Sequence, residues 1–185
     1  MKLWLIRHAP VDAPAGLCYG RTDLSAQVEP MRVAVRAIAA QLPAGIAVRS
    51  SPRQRCSAMA QAVVARRADL ATPVIDERLA EMDFGDWEGR RWTDIPRSAF
   101  DAWTSDFVEA RAGRCGESTR LFMARVGAAW DDWRASRQEQ AWFTHAGVIR
   151  AVHLLQRGVR LPQGSADWPS TPIAFGEACI FDLTT

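Results

Sequence analysis

Residues 5–10 read "LIRHAP", which places Arg7 and His8 side by side at the end of an apolar run. A guanidinium presents a planar fork of N–H donors that matches the oxygens of a phosphoryl group. A neutral imidazole is a nucleophile and a proton carrier near neutral pH. The same residue types recur later: "SSPRQR" supplies Arg53 and Arg55, and "THAG" supplies His145. If these stretches converge, one crevice holds two histidines and at least two arginines, a composition suited to a compact multivalent anion. A phosphoryl group is the natural candidate, and the expected ligand is a small phosphorylated metabolite. No H-x-x-x-H or comparable close-ligand spacing accompanies the histidines, so neither a metal site nor a cofactor is expected.

Such convergence requires elements that end at the right places. Leu3 to Ile6 is a short apolar run, as expected of a strand covered on both faces. Residues 11–25 are rich in Gly, Pro and Asp and read as a loop. Val33, Ala34, Ala37, Ile38 and Leu42 recur at helical spacing from about Glu29 onward. "GIAVRS" is a second strand ending at Ser50, and the helix after it is expected to start with Ser51 as N-cap and Pro52 at its first position. "TPVI" is a third strand, followed by the loop 76–92. One apolar helical face runs through Leu121, Phe122, Val126, Ala129, Trp130 and Trp133, within 117–135. "QAWFTH", "GVIRAVHLLQR" and "EACIFDL" then read as strand, helix and strand. Alternation of this kind predicts one α/β domain over 1–185, a three-layer α/β/α sandwich on a mostly parallel sheet. In such sheets ligands bind beyond the carboxyl ends of the strands, where the histidines and arginines fall.

Composition excludes several other classes. Hydrophobic residues make up 48% and charged residues 24%, with a net charge of +2, and Arg66-Arg67 and Arg90-Arg91 are isolated pairs. No nucleic-acid surface is indicated. "MKLWLIRH" is too short in its apolar part for a signal peptide or a membrane span, so the expectation is a cytoplasmic protein without membrane contact. Cys18, Cys56, Cys115 and Cys179 lack C-x-x-C spacing and read as reduced thiols.

"LIRHAP", "SSPRQRCSAMA", "LAEMDFGDWEG" and "THAGVIR", in this order, resemble the histidine phosphatase superfamily in its phosphoglycerate mutase-like branch. The similarity runs from residue 3 to about 157. "GLCYGRTDL" and "FGDWEG" resemble the α-ribazole phosphatases within it. The resemblance implies a phosphoglycerate mutase-like fold and a metal-independent phosphomonoester hydrolase with a phosphohistidine intermediate. The subgroup adds α-ribazole 5′-phosphate, in cobalamin biosynthesis, as substrate. By the same resemblance His8 is the nucleophile, Arg7 and Arg55 clamp the phosphoryl oxygens, and His145 adds a donor and charge. Glu81, in an L-x-E-x-x-x-G pattern, is then proton donor to the leaving oxygen and base for water. The donor role asks for a raised pKa, through burial near Phe84 or Trp87. Tyr19, Gly20, Arg21, Thr22 and Ala146 are implied at the substrate, and a homodimer is common in the family.

The chain departs from the family pattern in three places. Ala9 replaces the usual glycine, which matters if that backbone needs a positive φ. "HAG" stands where "HGG" is common, and no asparagine follows the nucleophile within residues 11–19. Two other functions compete with hydrolysis: a phosphoglycerate mutase-type phosphotransferase or broad-specificity phosphatase, and a non-catalytic phospho-ligand binding module. Several residues have plainer readings. Arg53 is expected to be solvated, His153 to pack or face water, and Asp83 and Glu88 to be loop carboxylates that move no proton. Glu117 is a candidate for the pocket, as are Trp87 and Trp92. The 160–177 segment could close over the substrate.

Overall fold

Along the first strand, β1 (Lys2–Arg7), alternate side chains enter two different cores. Leu3 and Leu5 are fully buried on one face of the sheet, and Trp4 and Ile6 are buried on the other. A period of two with both faces apolar is the pattern of a strand covered on each side. The structure is a computed structural model and describes residues 1–183.

After β1 come α1 (Val28–Gln41), β2 (Ala47–Ser50), α2 (Gln54–Val64), β3 (Val74–Ile75), α3 (Arg97–Ser105), α4 (Thr119–Ser136), β4 (Gln140–Thr144), α5 (Ala146–Gln156) and β5 (Ala178–Asp182). The strands lie in the order β3-β2-β4-β1-β5. All pairings are parallel except that of β1 with β5. Ala34, Ile38, Met59 and Val63, from α1 and α2, pack with Trp4, Ile6, Val48 and Phe143 on one face. Phe122, Trp130 and Trp133 of α4 and Val148 and Val152 of α5 pack with Leu3, Leu5 and Trp142 on the other. These are the three expected layers.

The order of strands decides the chemistry. β4 lies between β1 and β2, with Arg7 opposite Thr144 and Ser50 opposite Phe143, so the carboxyl ends of all three finish side by side. His8, Ser51 and His145 are each the first residue past their strands.

Two local expectations need correction. The helix after β2 begins at Gln54 with Arg53 as its cap residue, two positions later than Ser51 and Pro52 suggested. Ser51 Oγ accepts from the Arg53 N–H at 3.3 Å, and the Asp23 carboxylate caps the Gln54 N–H at 2.8 Å. That terminus is therefore occupied by a loop carboxylate. Helix α3 had no counterpart in the sequence reading. It has no side-chain cap, none of its residues is fully buried, and Phe100 and Trp103 hold it against Trp87. Helix α4 starts at Thr119, inside the stretch its apolar face marked, with Ser118 Oγ accepting from the Leu121 N–H as its cap. Ala9 is buried and is not among the positive-φ residues, so alanine fits there without strain.

Candidate active site

His8 is 3% exposed, and its Nδ1 lies 2.8 Å from the carbonyl oxygen of Ala9. A carbonyl can only accept, so Nδ1 carries the hydrogen and the lone pair sits on Nε2. Burial is the main force holding the His8 pKa down, to about 3. The Ala9 hydrogen bond opposes that fall, while the charges of Arg55 and Arg7 add to it. The imidazole is thus neutral at physiological pH, the form in which it is a nucleophile.

Arg55 is fully buried and makes no ion pair within the described residues. Its Nη1 and Nη2 donate to the carbonyls of Thr22 and Gly20, both at 2.8 Å, and its Nε donates to His145 Nδ1 at 3.3 Å. Two of its five N–H groups are left for an anion. Arg7 is held from the other side: Nη1 donates to the Ile173 carbonyl, and the guanidinium stacks on Phe175 at 3.5 Å from the ring centroid. Its Nε is buried and unpartnered. Arg55 is buried and Arg7 half-buried, and neither has a carboxylate within ion-pair distance among the described residues, so an anion in this space would offset their charge.

His145 differs from its expected form. It is fully buried, and its pKa is pushed well below the ordinary value by desolvation and then by the Arg55 charge. With Nδ1 accepting from Arg55, Nε2 bears the hydrogen and donates to Ser51 Oγ at 2.8 Å. The residue stands as a neutral link that sets the angle of Arg55, its ring centroid 5.2 Å from that of His8.

The two buried histidines give the fold a definite acid response. Unfolded, each would take a proton near pH 6.5. Folded, His8 does so only near pH 3. Between those values the unfolded chain binds more protons, so stability falls as pH drops through that window, by at most about 1.4 kcal/mol per pH unit for His8. His145 acts in the same direction. Thermal denaturation should show a lower Tm at about pH 5 than at about pH 7.5, with a shallower slope in a His8→Asn variant. A flat profile shared by both proteins would contradict the buried neutral pair.

Glu81 is half-buried and anchored by its neighbours. Its Oε1 accepts from the Met82 N–H and its Oε2 from the Gly147 N–H, both at 3.1 Å. A Cβ at 147 would lie 2.0 Å from Glu81 Oε1, so any other residue there would have to push the Glu81 carboxylate aside. Arg125 of α4 clasps the backbone beneath, donating to the carbonyls of Arg78, Ala80 and Glu81 while pairing with Glu117 at 2.7 Å. Glu117 is consequently turned to Arg125 and to the Asp83 N–H, away from the pocket.

One cavity of about 320 Å³ joins Arg7, His8, Arg55, Glu81 and His145, with Tyr19, Phe84 and Trp92 on its walls. Of the two tryptophan candidates Trp92 reaches it, whereas Trp87 is buried with Cys18, Ile95 and Ala112. Gly20, Arg21, Thr22 and Ala146 are not on its wall. The N–H groups of Gly20, Arg21 and Thr22, with the Thr22 hydroxyl, all donate to the Glu88 carboxylate, and the Arg21 side chain pairs with Asp83 at 3.2 Å. Glu88 is therefore the brace of this loop, a role its sequence context hid. Burial opposes its charge, yet those hydrogen bonds keep its pKa below the ordinary value. Arg53 is half-buried with an unpartnered Nε, against the solvated position expected. His153 packs edge-on against Phe181. Ser51, expected only as a helix cap, contributes to the site through His145, and Arg125 and Phe175 are further contributors that sequence reasoning did not single out. Of the 160–177 segment, Ile173 and Phe175 do lie against the site.

The family description "Histidine phosphatase superfamily (branch 1)" matches residues 3–168. The α-ribazole phosphatase of Shigella flexneri superimposes with a TM-score of 0.81 at 25% identity, over 100% of this chain and 91% of that one. A structure from Escherichia coli described as a putative α-ribazole-5′-P phosphatase gives 0.73 at 26% identity, over 84% and 78% of the two chains. In sequence, "Putative phosphoserine phosphatase 2" of Hydrogenobacter thermophilus is 30% identical over 170 residues, 86% of this chain and 80% of that protein. No helix among the described residues is long and apolar enough to cross a membrane. With the histidine, arginine and glutamate positions gathered at the ends of three parallel strands, the chain belongs to the histidine phosphatase superfamily, and it is a phosphatase by class.

Proposed function

We propose that the protein hydrolyses a phosphomonoester through a phosphohistidine at His8, without a metal ion, and that α-ribazole 5′-phosphate is its substrate. The observation that carries the mechanism is the free Nε2 lone pair of a neutral His8 inside a cavity shared with two guanidiniums that have no carboxylate partner among the described residues. In the first step Nε2 attacks phosphorus and the P–O bond to the leaving group breaks. A protonated Glu81 gives its proton to that oxygen, releasing the alcohol. In the second step Glu81 takes a proton from water, the water oxygen bonds to phosphorus, and the P–N bond breaks to release inorganic phosphate. Arg7 and Arg55 meet the charge on the three equatorial oxygens, which is where a loose phosphoryl-transfer transition state spreads it.

The substrate rests on the "CYGRTD" loop and on the α-ribazole phosphatases with which the chain shares its fold. The test is initial-rate hydrolysis of α-ribazole 5′-phosphate, O-phosphoserine, 3-phosphoglycerate and p-nitrophenyl phosphate, with and without chelator. The expected result is chelator-resistant release of phosphate, with kcat/KM for α-ribazole 5′-phosphate at least about tenfold above the others. A preference for O-phosphoserine would overturn the substrate, and isomerisation of 3-phosphoglycerate would overturn hydrolysis. Phosphate binding without any turnover would leave a binding module.

A further inference from the structure

Phe175 is 39% exposed and belongs to none of the three apolar clusters of the core. Its ring meets two groups of the site instead: the Arg7 guanidinium, 3.5 Å from its centroid, and the His8 imidazole, whose centroid lies 5.5 Å away. Backbone bonds fix it there. The Gly176 N–H donates to the carbonyls of both Arg7 and His8, at 3.1 and 3.2 Å, and the Arg7 N–H donates to the Glu177 carbonyl at 3.1 Å. These bonds prolong the antiparallel ladder of β1 with β5, whose last pair sets Ile6 opposite Ala178. Gly176 has a φ of +73°, and a Cβ there would lie 2.7 Å from that of Ala34, so the chain turns against α1 in a conformation that favours glycine. At the other end the buried Ile173 side chain enters the core while its carbonyl accepts from Arg7 Nη1. Residues 173–177 are thus a strap held at both ends, with Phe175 between them.

The N–H donors of a guanidinium point outward in its own plane, whereas an aromatic ring takes its face. Stacking therefore steadies the plane of Arg7 and uses none of its donors. A carboxylate in the same place would engage the fork and repel the phosphoryl dianion. An aliphatic side chain could cover the same area, but it lacks the negative face that draws a cation. We infer that Phe175 is a positioning residue for phosphoryl transfer, whose ring face holds the Arg7 guanidinium in the orientation that meets the phosphoryl oxygens and leaves its charge to the substrate. This role rests on the phosphatase reading of the same site.

The experiment compares the wild type with Phe175→Leu and Phe175→Tyr. It measures kcat and KM for whichever of the four esters above the wild type turns over fastest, and the inhibition constants of inorganic phosphate and orthovanadate. Five-coordinate vanadate presents three equatorial oxygens as the transition state does, whereas phosphate resembles the product. A ring that only filled space would move both constants together, while one that orients Arg7 acts more strongly on vanadate. The expected result in Phe175→Leu is a loss of about tenfold in kcat/KM and a vanadate constant raised about tenfold, with that of phosphate raised less than about threefold. Phe175→Tyr, which restores the ring face, is expected to recover most of both losses. Equal shifts of the two constants in Phe175→Leu, values within about twofold of the wild type, or a Phe175→Tyr no better than Phe175→Leu would each overturn the positioning role and leave the phosphatase reading intact. A wild type that hydrolyses no ester overturns the phosphatase reading, and this role with it.

Discussion

His8→Ala is expected to abolish phosphoester turnover, lowering kcat by about 10⁴-fold or more, because the group removed forms the covalent intermediate. No neighbour can replace it. His145 is the nearest imidazole, but both its nitrogens are committed, Nδ1 to Arg55 and Nε2 to Ser51. Arg7 and Arg55 do not depend on His8 for their hydrogen bonds, so the variant should still bind inorganic phosphate. Loss of turnover with binding retained, measured by initial rates and by calorimetric titration of phosphate, separates loss of the nucleophile from collapse of the pocket. Residual activity within about tenfold of wild type would place the nucleophile elsewhere.

Glu81→Gln is expected to lower kcat on alkyl phosphates by about 10²–10⁴-fold, the usual worth of a positioned acid-base group. The effect should depend on the leaving group. A p-nitrophenolate departs without a proton, so its release needs little help, whereas hydrolysis of the phosphoenzyme still needs a base. With p-nitrophenyl phosphate the variant should therefore show a burst of nitrophenol followed by a slow steady state. The isosteric amide keeps the shape of the side chain and one of its two acceptors, which can still serve the Gly147 N–H, while the Met82 N–H loses its partner. Gly147→Ala attacks the same function sterically, since its Cβ would displace the carboxylate. Equal losses on alkyl and nitrophenyl esters, without a burst, would contradict the acid-base role.

The sequence displays the parts of this site that lie where strands stop. His8, His145 and Ser51 each follow an apolar run, and a parallel sheet brings the carboxyl ends of neighbouring runs together whatever the loops between them do. Glu81 was legible through its motif. What holds these groups in place was not legible, because it depends on contacts with no local signal. Arg7 is tied to Ile173, 166 positions away, and the Gly20–Thr22 loop to Glu88, 66 to 68 positions away. Arg125 looks like one polar residue on an amphipathic helix, yet it fixes the segment that carries Glu81. Helix α3 escaped notice for a related reason. Its apolar residues do fall on one face, but it is only nine residues long, has no side-chain cap, and packs onto an aromatic cluster built from distant loop residues.

The most direct test of the central claim is to mix enzyme with p-nitrophenyl phosphate, quench within the first turnover into alkali, where phosphohistidine survives, and map the modified peptide by mass spectrometry. The account predicts an acid-labile, alkali-stable phosphoryl group on His8, accumulating further in Glu81→Gln and absent from His8→Ala. Turnover that proceeds with no phosphoenzyme in either the wild type or Glu81→Gln, or a phosphoryl group on any other residue, would contradict it.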